Sequence, residues 1–299
     1  MISLVGTTAL VTDSTAHLQP GVVEACGVTV VPLQVVIDDD VHDEGSEAAT
    51  PERVAAALRE KRAVSTSRPA PAVFSELYER LAAEGADSIL SVHLSAEVSG
   101  TFESALVASR TAPVPVTCVD TRQVGVATGY AVESASAVLA SGGSVEEAAA
   151  AARERSSSAT SLFYVNTLEY LRRGGRVGAA AAVFGGVLAV KPLLGIVDGV
   201  IVPRAKVRTA AKAIAQLEAM AVEAAGEQPV EVCVAHLAAE DRALALAERL
   251  GEQLGELVVP GRDGSPVRCL ELGGVLGAHV GPGMLAICVA PVPPSPAGS

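Results

Sequence analysis

A chain of 299 residues, 49% of them hydrophobic, can build a sizeable core, either as one large domain or as two intimate ones. An aromatic share of 3% with no tryptophan leaves little on which to stack bases or flat cofactors. Thirty-four acids against 22 bases give a net charge of −12, a field that repels phosphate backbones and anionic lipid surfaces and so argues against nucleic-acid binding and stable membrane insertion.

In chain order, Ala9–Thr12 reads as a buried strand ending at Asp13-Ser14-Thr15. The valine-rich run Val28–Val36, broken by Pro32, predicts a short strand and an edge. Pro51–Lys61 reads as a helix with proline in its first turn. Pro69–Ala83 reads as a second helix, with Phe74, Leu77, Tyr78 and Leu81 on one face and Gly85 as the stop. Ser88–Leu94 and Val114–Val119 are strands around a helix over Thr101–Arg110, and alanine-rich helices follow Asp120-Thr121. Strands alternating with helices predict a mostly parallel sheet covered by helices, with ligands beyond the carboxyl ends of its strands.

A serine run at 156–158 marks a joint, and beyond it the pattern changes. Ser161–Val165 is a strand. Leu188–Val197 and Val200–Val207 form a hairpin, because Asp198-Gly199 suits a two-residue turn with positive φ at both positions. Thr209–Ala225 and Ala239–Leu254 are helical, whereas Val230–His236, Val267–Leu272 and Met284–Ala290 are strands. The fold class is α/β: an N-terminal domain over 1–158, a C-terminal domain with a mixed sheet over 159–290, and a flexible Pro/Ser/Gly-rich tail over 291–299.

Five scattered cysteines without metal-ligand spacing predict buried thiols in a reducing compartment, with no metal and no cofactor. Met1–Leu10 lacks a charged n-region, and no apolar run reaches the roughly 18 residues of a membrane span. A cytoplasmic location is expected.

Four polar clusters interrupt the aliphatic chain: Thr66-Ser67-Arg68-Pro69, Ser99-Gly100-Thr101, Arg172-Arg173-Gly174-Gly175-Arg176 and Gly277–Gly283, which contains His279. Each sets hydroxyl, guanidinium or imidazole donors beside glycine or proline, a combination that suits an anionic head on an apolar body. Helix capping accounts for the hydroxyls at 66–67 as readily as ligand contact does, and for those at 99–101, taken alone, it is the stronger reading. Ser95 adds a hydroxyl to the second loop. Arg172 and Arg173 fit a helix C-terminus facing solvent, while Arg176 lies past the glycines and can reach inward. The Gly277–Gly283 stretch reads as a tight loop. His42, His93 and His236 sit at ordinary strand or loop positions and read as structural.

Taken together the clusters resemble the DegV family of bacterial fatty-acid-binding proteins. The resemblance is carried, in the family's order, by Thr12–Thr15, Thr66–Pro69, Ser95–Thr101, Leu171–Arg176, Lys191-Pro192, Arg208-Thr209 and His279–Gly283. His17 stands where the family usually has an acid, Arg68 where it usually has glutamine, and Thr121 where a serine is common. The resemblance implies one long-chain fatty acid held between two α/β domains, its carboxyl group presented to a separate fatty acid kinase that makes acyl phosphate. Carboxylate contacts carried over residue by residue are Thr66, Ser67, Ser95 or Ser99, Arg176 and His279. Phe184–Leu188 and Val28–Val36 are candidate lining for the acyl chain. No Walker-type phosphate loop and no G-x-S-x-G elbow is present, so catalysis by this chain is not expected. The alternatives are a Ser–His acyl-ester hydrolase and a carrier of another anionic lipid.

Overall fold

Period-two apolar strands and alanine-rich helices arrange into two units in the computed structural model, which describes residues 7–178, 180, 190–261 and 264–292. The first unit takes the described residues up to Thr50 together with Val64–Ser157 and Asp198–Val200; the second takes Pro51–Ala63, Ser158–Val197 and the described residues from Ile201 onward. Neither is one continuous stretch of chain.

The elements up to the joint are β1 (Thr8–Asp13), α1 (Pro20–Cys26), β2 (Val28–Val31), β3 (Gln34–Ile37), β4 (Asp40–Asp43), α2 (Pro51–Arg59), β5 (Val64–Ser67), α3 (Pro71–Ala83), β6 (Ser88–His93), α4 (Thr101–Ser109), β7 (Val116–Asp120), α5 (Val126–Ala140) and α6 (Val145–Ser158). Of these, α2 belongs to the second unit. The main sheet runs β2-β1-β6-β7, all parallel, with Leu10 opposite Val28 and Leu90. One face packs Leu10, Leu90, Val92 and Val119 on the alanines of α5 and α6; the other packs Val11 and Ile89 on Phe74, Tyr78 and Leu81 of α3. Alanine lets helix backbones approach the sheet closely, and burying each leucine side chain contributes roughly 1.5–3 kcal/mol.

Two expectations are corrected here. The second half of the valine run, β3, is the centre of a separate antiparallel sheet of order β4-β3-β5, not an edge. Pro32 separates β2 from β3, so the chain leaves one sheet and enters the other. Residues 66 and 67, expected to lead into a helix, instead end β5, and the helix starts at Pro71.

In the second unit follow β8 (Thr160–Tyr164), α7 (Glu169–Arg173), β9 (Lys191–Val197), β10 (Val200–Val207), α8 (Ala210–Ala225), β11 (Val230–His236), α9 (Glu240–Leu254), β12 (Arg268–Glu271), α10 (Gly274–Val280) and β13 (Leu285–Pro291). The sheet order is β10-β9-β8-β13-β11-β12, and it is mixed: β11 pairs parallel with β12 and antiparallel with β13. Between β9 and β10, Asp198 and Gly199 take φ of 51° and 84°, the turn expected from their sequence. Leu193, Val232, Ile287 and neighbours pack on Leu217 of α8 and Leu246 and Leu250 of α9. No described helix is long and apolar enough to cross a membrane, and none of the five cysteines is joined in a disulfide. The tail from 293 and the Phe184–Leu188 phrase lie outside the described residues.

Candidate functional site

The expected site residues fall into two groups, one in each unit.

In the first unit the group is built at the carboxyl ends of β1, β6 and β7, where a parallel sheet leaves its strand ends open. The loop from Leu94 to Gly100 is pinned by its neighbours. The Leu94 amide donates to Asp13 Oδ2 at 3.2 Å, the Ser95 amide to the Gln123 carbonyl at 2.8 Å, and the Ala96 amide to Asp120 Oδ1 at 3.3 Å. Ser95 is fully buried; its hydroxyl donates to the Gly199 carbonyl at 2.8 Å and accepts from the Glu97 amide at 3.2 Å. That proton is committed within the protein. Ser99, only partly buried, pairs its hydroxyl with that of Thr101 at 2.9 Å.

Helix capping does not account for these hydroxyls. The residue preceding α4 is Gly100, with no side-chain cap, and the residue preceding α3 is Ala70, also uncapped. Thr66 is half-buried and Ser67 exposed, both on β5 opposite Val35 and Gln34. Arg68 then folds back, and its Nη1 donates to the Gly100 carbonyl at 3.4 Å.

Under this loop lies a polar string that the sequence reading passed over by treating His93 as ordinary. Asp13 Oδ2 meets His93 Nδ1 at 2.9 Å, His93 Nε2 meets Ser91 Oγ at 2.7 Å, and Ser91 Oγ meets the Tyr78 hydroxyl at 2.9 Å. Thr15 donates its hydroxyl to the other Asp13 oxygen at 2.5 Å. All five side chains are buried. An Asp–His–Ser order has the form of a nucleophile relay, but Ser91 is 0% exposed, so its oxygen is closed to any substrate in this structure. The string instead ties the ends of β1 and β6 together and supports the loop above. Burial raises the Tyr78 pKa, which keeps that phenol protonated and able to donate.

In the second unit the group gathers around Gly174. Arg176 Nη1 donates to the Gly174 carbonyl at 2.5 Å, and a Cβ on Gly174 would lie 2.2 Å from His279 Nδ1. The guanidinium and the imidazole therefore share that glycine as a floor. His279 is not in a loop, as its Gly/Pro surroundings suggested, but in the last turn of α10. Its glycines are set by their neighbours. A Cβ on Gly277 would lie 3.1 Å from Leu237, and one on Gly281 would lie 2.1 Å from the Tyr170 ring. Burial, reinforced by the positive charge of Arg176, lowers the His279 pKa to about 4, so at neutral pH the ring is uncharged with one donor and one acceptor. The following turn is tied by Asn166 Nδ2 donating to the Pro282 carbonyl at 3.0 Å, by the Gly283 amide donating to the Leu237 carbonyl at 2.7 Å, and by Arg242 donating to the Gly283 carbonyl. Arg172 and Arg173 are exposed at the end of α7, where Arg173 pairs with Glu169.

The two groups offer hydroxyls in one unit and a guanidinium with a neutral imidazole in the other. No group of three or more His, Cys, Asp and Glu among the described residues could hold a metal ion.

Comparison with known proteins follows these features over their whole length. The family model described as "Uncharacterised protein, DegV family" matches residues 7–292. A DegV domain-containing protein of Streptomyces coelicolor is 51% identical over 281 residues, which is 94% of this chain and 97% of that one. Among solved structures, DegV from Bacillus subtilis, described as a fatty acid binding protein, superposes with a TM-score of 0.85 at 30% identity, covering 96% of this chain and 100% of that one. A Thermus thermophilus DegV family protein, described by its fatty acid binding, gives a TM-score of 0.84 at 32% identity with the same coverage.

Proposed function

This chain belongs to the DegV family, and from that premise we propose that it binds one long-chain fatty acid and presents the carboxyl group to a separate fatty acid kinase. The observation that carries the reading is full-length likeness to two solved relatives described as fatty acid binding. The site residues support it chemically. A carboxylate leaving water needs several donors, at least one of them charged. Thr66, Ser67 and Ser99 supply neutral hydroxyls, Arg176 the charge and His279 an N–H, while Ser95 orders the loop that carries Ser99. The aliphatic, aromatic-poor composition supplies the environment an acyl chain needs.

In the kinase step the γ-phosphoryl group of ATP passes to a carboxylate oxygen, giving acyl phosphate and ADP. The acidic surface of this chain is suited to a basic patch on such a partner. A Ser–His hydrolase is less well supported, because the Ser99 hydroxyl pairs with Thr101 rather than with an imidazole.

Denaturing extraction and mass spectrometry of the purified protein are expected to yield about one acyl chain per polypeptide, as one enclosed site allows. Recovery of no lipid, with no binding of added long-chain acids, would overturn the reading. Acyl phosphate should form only when kinase, ATP and this protein are all present. Its formation without kinase would remove the carrier role.

A further inference from the structure

Arg68 is an exposed guanidinium in an unusual place. It lies flat against the start of α4: a Cβ on Gly100 would fall 1.7 Å from its Nη1 and 2.9 Å from its Cδ, so a larger residue at position 100 would expel it. Cations normally sit at helix C-termini, because the N-terminus already carries partial positive charge. Here a full positive charge is set on the positive end of a nine-residue helix. Its one hydrogen bond within the described residues goes to the Gly100 carbonyl, and it forms no ion pair there; Glu103, the acid in the first turn of α4, does not pair with it. The hydroxyls of Ser99 and Thr101 on either side of Gly100 are bonded to each other, and Gly100 provides no side-chain cap. Two positive elements thus adjoin, with Glu103 of the same turn not paired to the guanidinium, an arrangement that becomes more favourable when a strongly negative group sits beside them.

We propose that Arg68 is a specificity residue for a phosphate head: it favours a single acyl chain ending in a phosphate dianion, the acyl phosphate, over the same chain ending in a carboxylate. The inference rests on the fatty-acid reading above and deepens it. A carboxylate has one charge and two oxygens, and neutral hydroxyls with one guanidinium can satisfy it. A phosphate monoester carries close to two charges at neutral pH and three terminal oxygens. It gains from a second guanidinium, whose planar fork matches two of those oxygens at once. When a bound carboxylate accepts a phosphoryl group its head gains one negative charge, and Arg68 retains the product after that step.

The test compares hexadecanoate with hexadecyl phosphate, a stable mimic of the acyl phosphate, by displacement of a fluorescent acyl probe from the full-length protein. R68Q should lose about tenfold in affinity for the phosphate and less than about threefold for the carboxylate, with R68K between R68Q and the wild type. Raising salt should shrink the wild-type preference for phosphate and leave R68Q little changed, as expected for an exposed charge. Equal losses for both ligands in R68Q, or no change in either, would overturn the role of Arg68 while leaving fatty-acid binding intact. Wild-type protein that binds neither ligand would overturn the fatty-acid reading and this inference together. A wild-type preference for lysophosphatidate over hexadecyl phosphate would overturn the acyl-phosphate assignment.

Discussion

At His279 two demands meet in one side chain. In the proposed site it would donate to an anion, yet it sits in a desolvated position beside Arg176, and its pKa falls to about 4. In that role it is a neutral donor and leaves the charge to Arg176. Arg176→Ala and His279→Ala are each expected to weaken fatty-acid retention by roughly 10- to 100-fold, the equivalent of about 1.5–3 kcal/mol for a hydrogen bond to a charged group. Arg172→Ala, at an exposed helix end, should leave retention within about threefold. Titration with a fluorescent acyl ligand, alongside thermal melts, checks the set. Loss in the Arg172 variant with retention in Arg176→Ala would refute the assignment.

The same lowered pKa makes stability depend on pH. His17 is likewise held near 4 by desolvation against the opposing pull of Asp13, and its Nε2 is buried without a hydrogen-bond partner among the described residues. Unfolded, both rings titrate near 6.5, so between pH 6.5 and about 4 the unfolded chain binds more protons than the folded one. Their contribution is complete above pH 6.5 and is lost as pH falls toward 4, by no more than about 3 kcal/mol per histidine. Urea midpoints at pH 7 and pH 4.5 should therefore differ less in His279→Gln than in the wild-type chain. Equal differences would show that His279 is not buried as a neutral ring.

At the scale of elements, two glycines near His279 have different reasons to be glycine. Gly281 ends α10 at a φ of 76° and faces the Tyr170 ring, so Gly281→Ala meets both backbone strain and a clash. It should lower stability by about 1–3 kcal/mol, seen as a reduced Tm. Gly174 has an ordinary helical φ of −73°, and a Cβ there clashes with the His279 imidazole while its contact with the Tyr170 carbonyl, at 3.4 Å, is an ordinary one. Gly174→Ala should keep a near-normal Tm but lose fatty-acid affinity, because the imidazole has to swing away. A variant that lost stability and kept affinity would reverse that account. The pinned loop of the first unit follows a related logic. Asp13 and Asp120, at the ends of the two strands that flank β6, each accept from one of its amides, so the position of Ser99 depends on the sheet beneath rather than on local turn chemistry.

On the scale of the whole molecule, the path of the chain matters more than the joint at Ser156–Ser158. The helix α2 precedes β5 in sequence yet packs with α10 in the second unit, while residues 198–200 belong to the first. A fragment starting at Ser158 lacks the helix that supports His279. It is expected to melt without a cooperative transition and to bind no fatty acid, whereas adding residues 51–63 as a separate peptide should recover part of both. Circular dichroism and acyl-probe titration decide this. A stable, binding-competent fragment would show that α2 is dispensable.

The sequence by itself determined what depends on local pattern. Apolar strands alternating with alanine-rich helices specified the parallel sheet and its two covered faces, and Asp198-Gly199 specified the hairpin through its need for positive φ. The donor clusters were legible because hydroxyls and arginines beside glycine are conspicuous in an aliphatic chain. Tertiary structure decided the rest. The small sheet escaped because Asp40–Asp43 and Val64–Ser67 are largely polar and neither carries a fully buried residue. His279 read as a loop residue because its glycines answer to Tyr170 and Leu237, far away in the chain. Ser95 and Ser99 are indistinguishable as letters; only the Gly199 carbonyl, 104 residues on, commits one of them. Asp13 and His93 meet because β1 and β6 pair in one register, with Thr12 opposite Val92, across 80 residues. Periodicity encodes which face of an element is buried, whereas hydrogen-bond partners depend on registers and packings that bring distant segments to the same place.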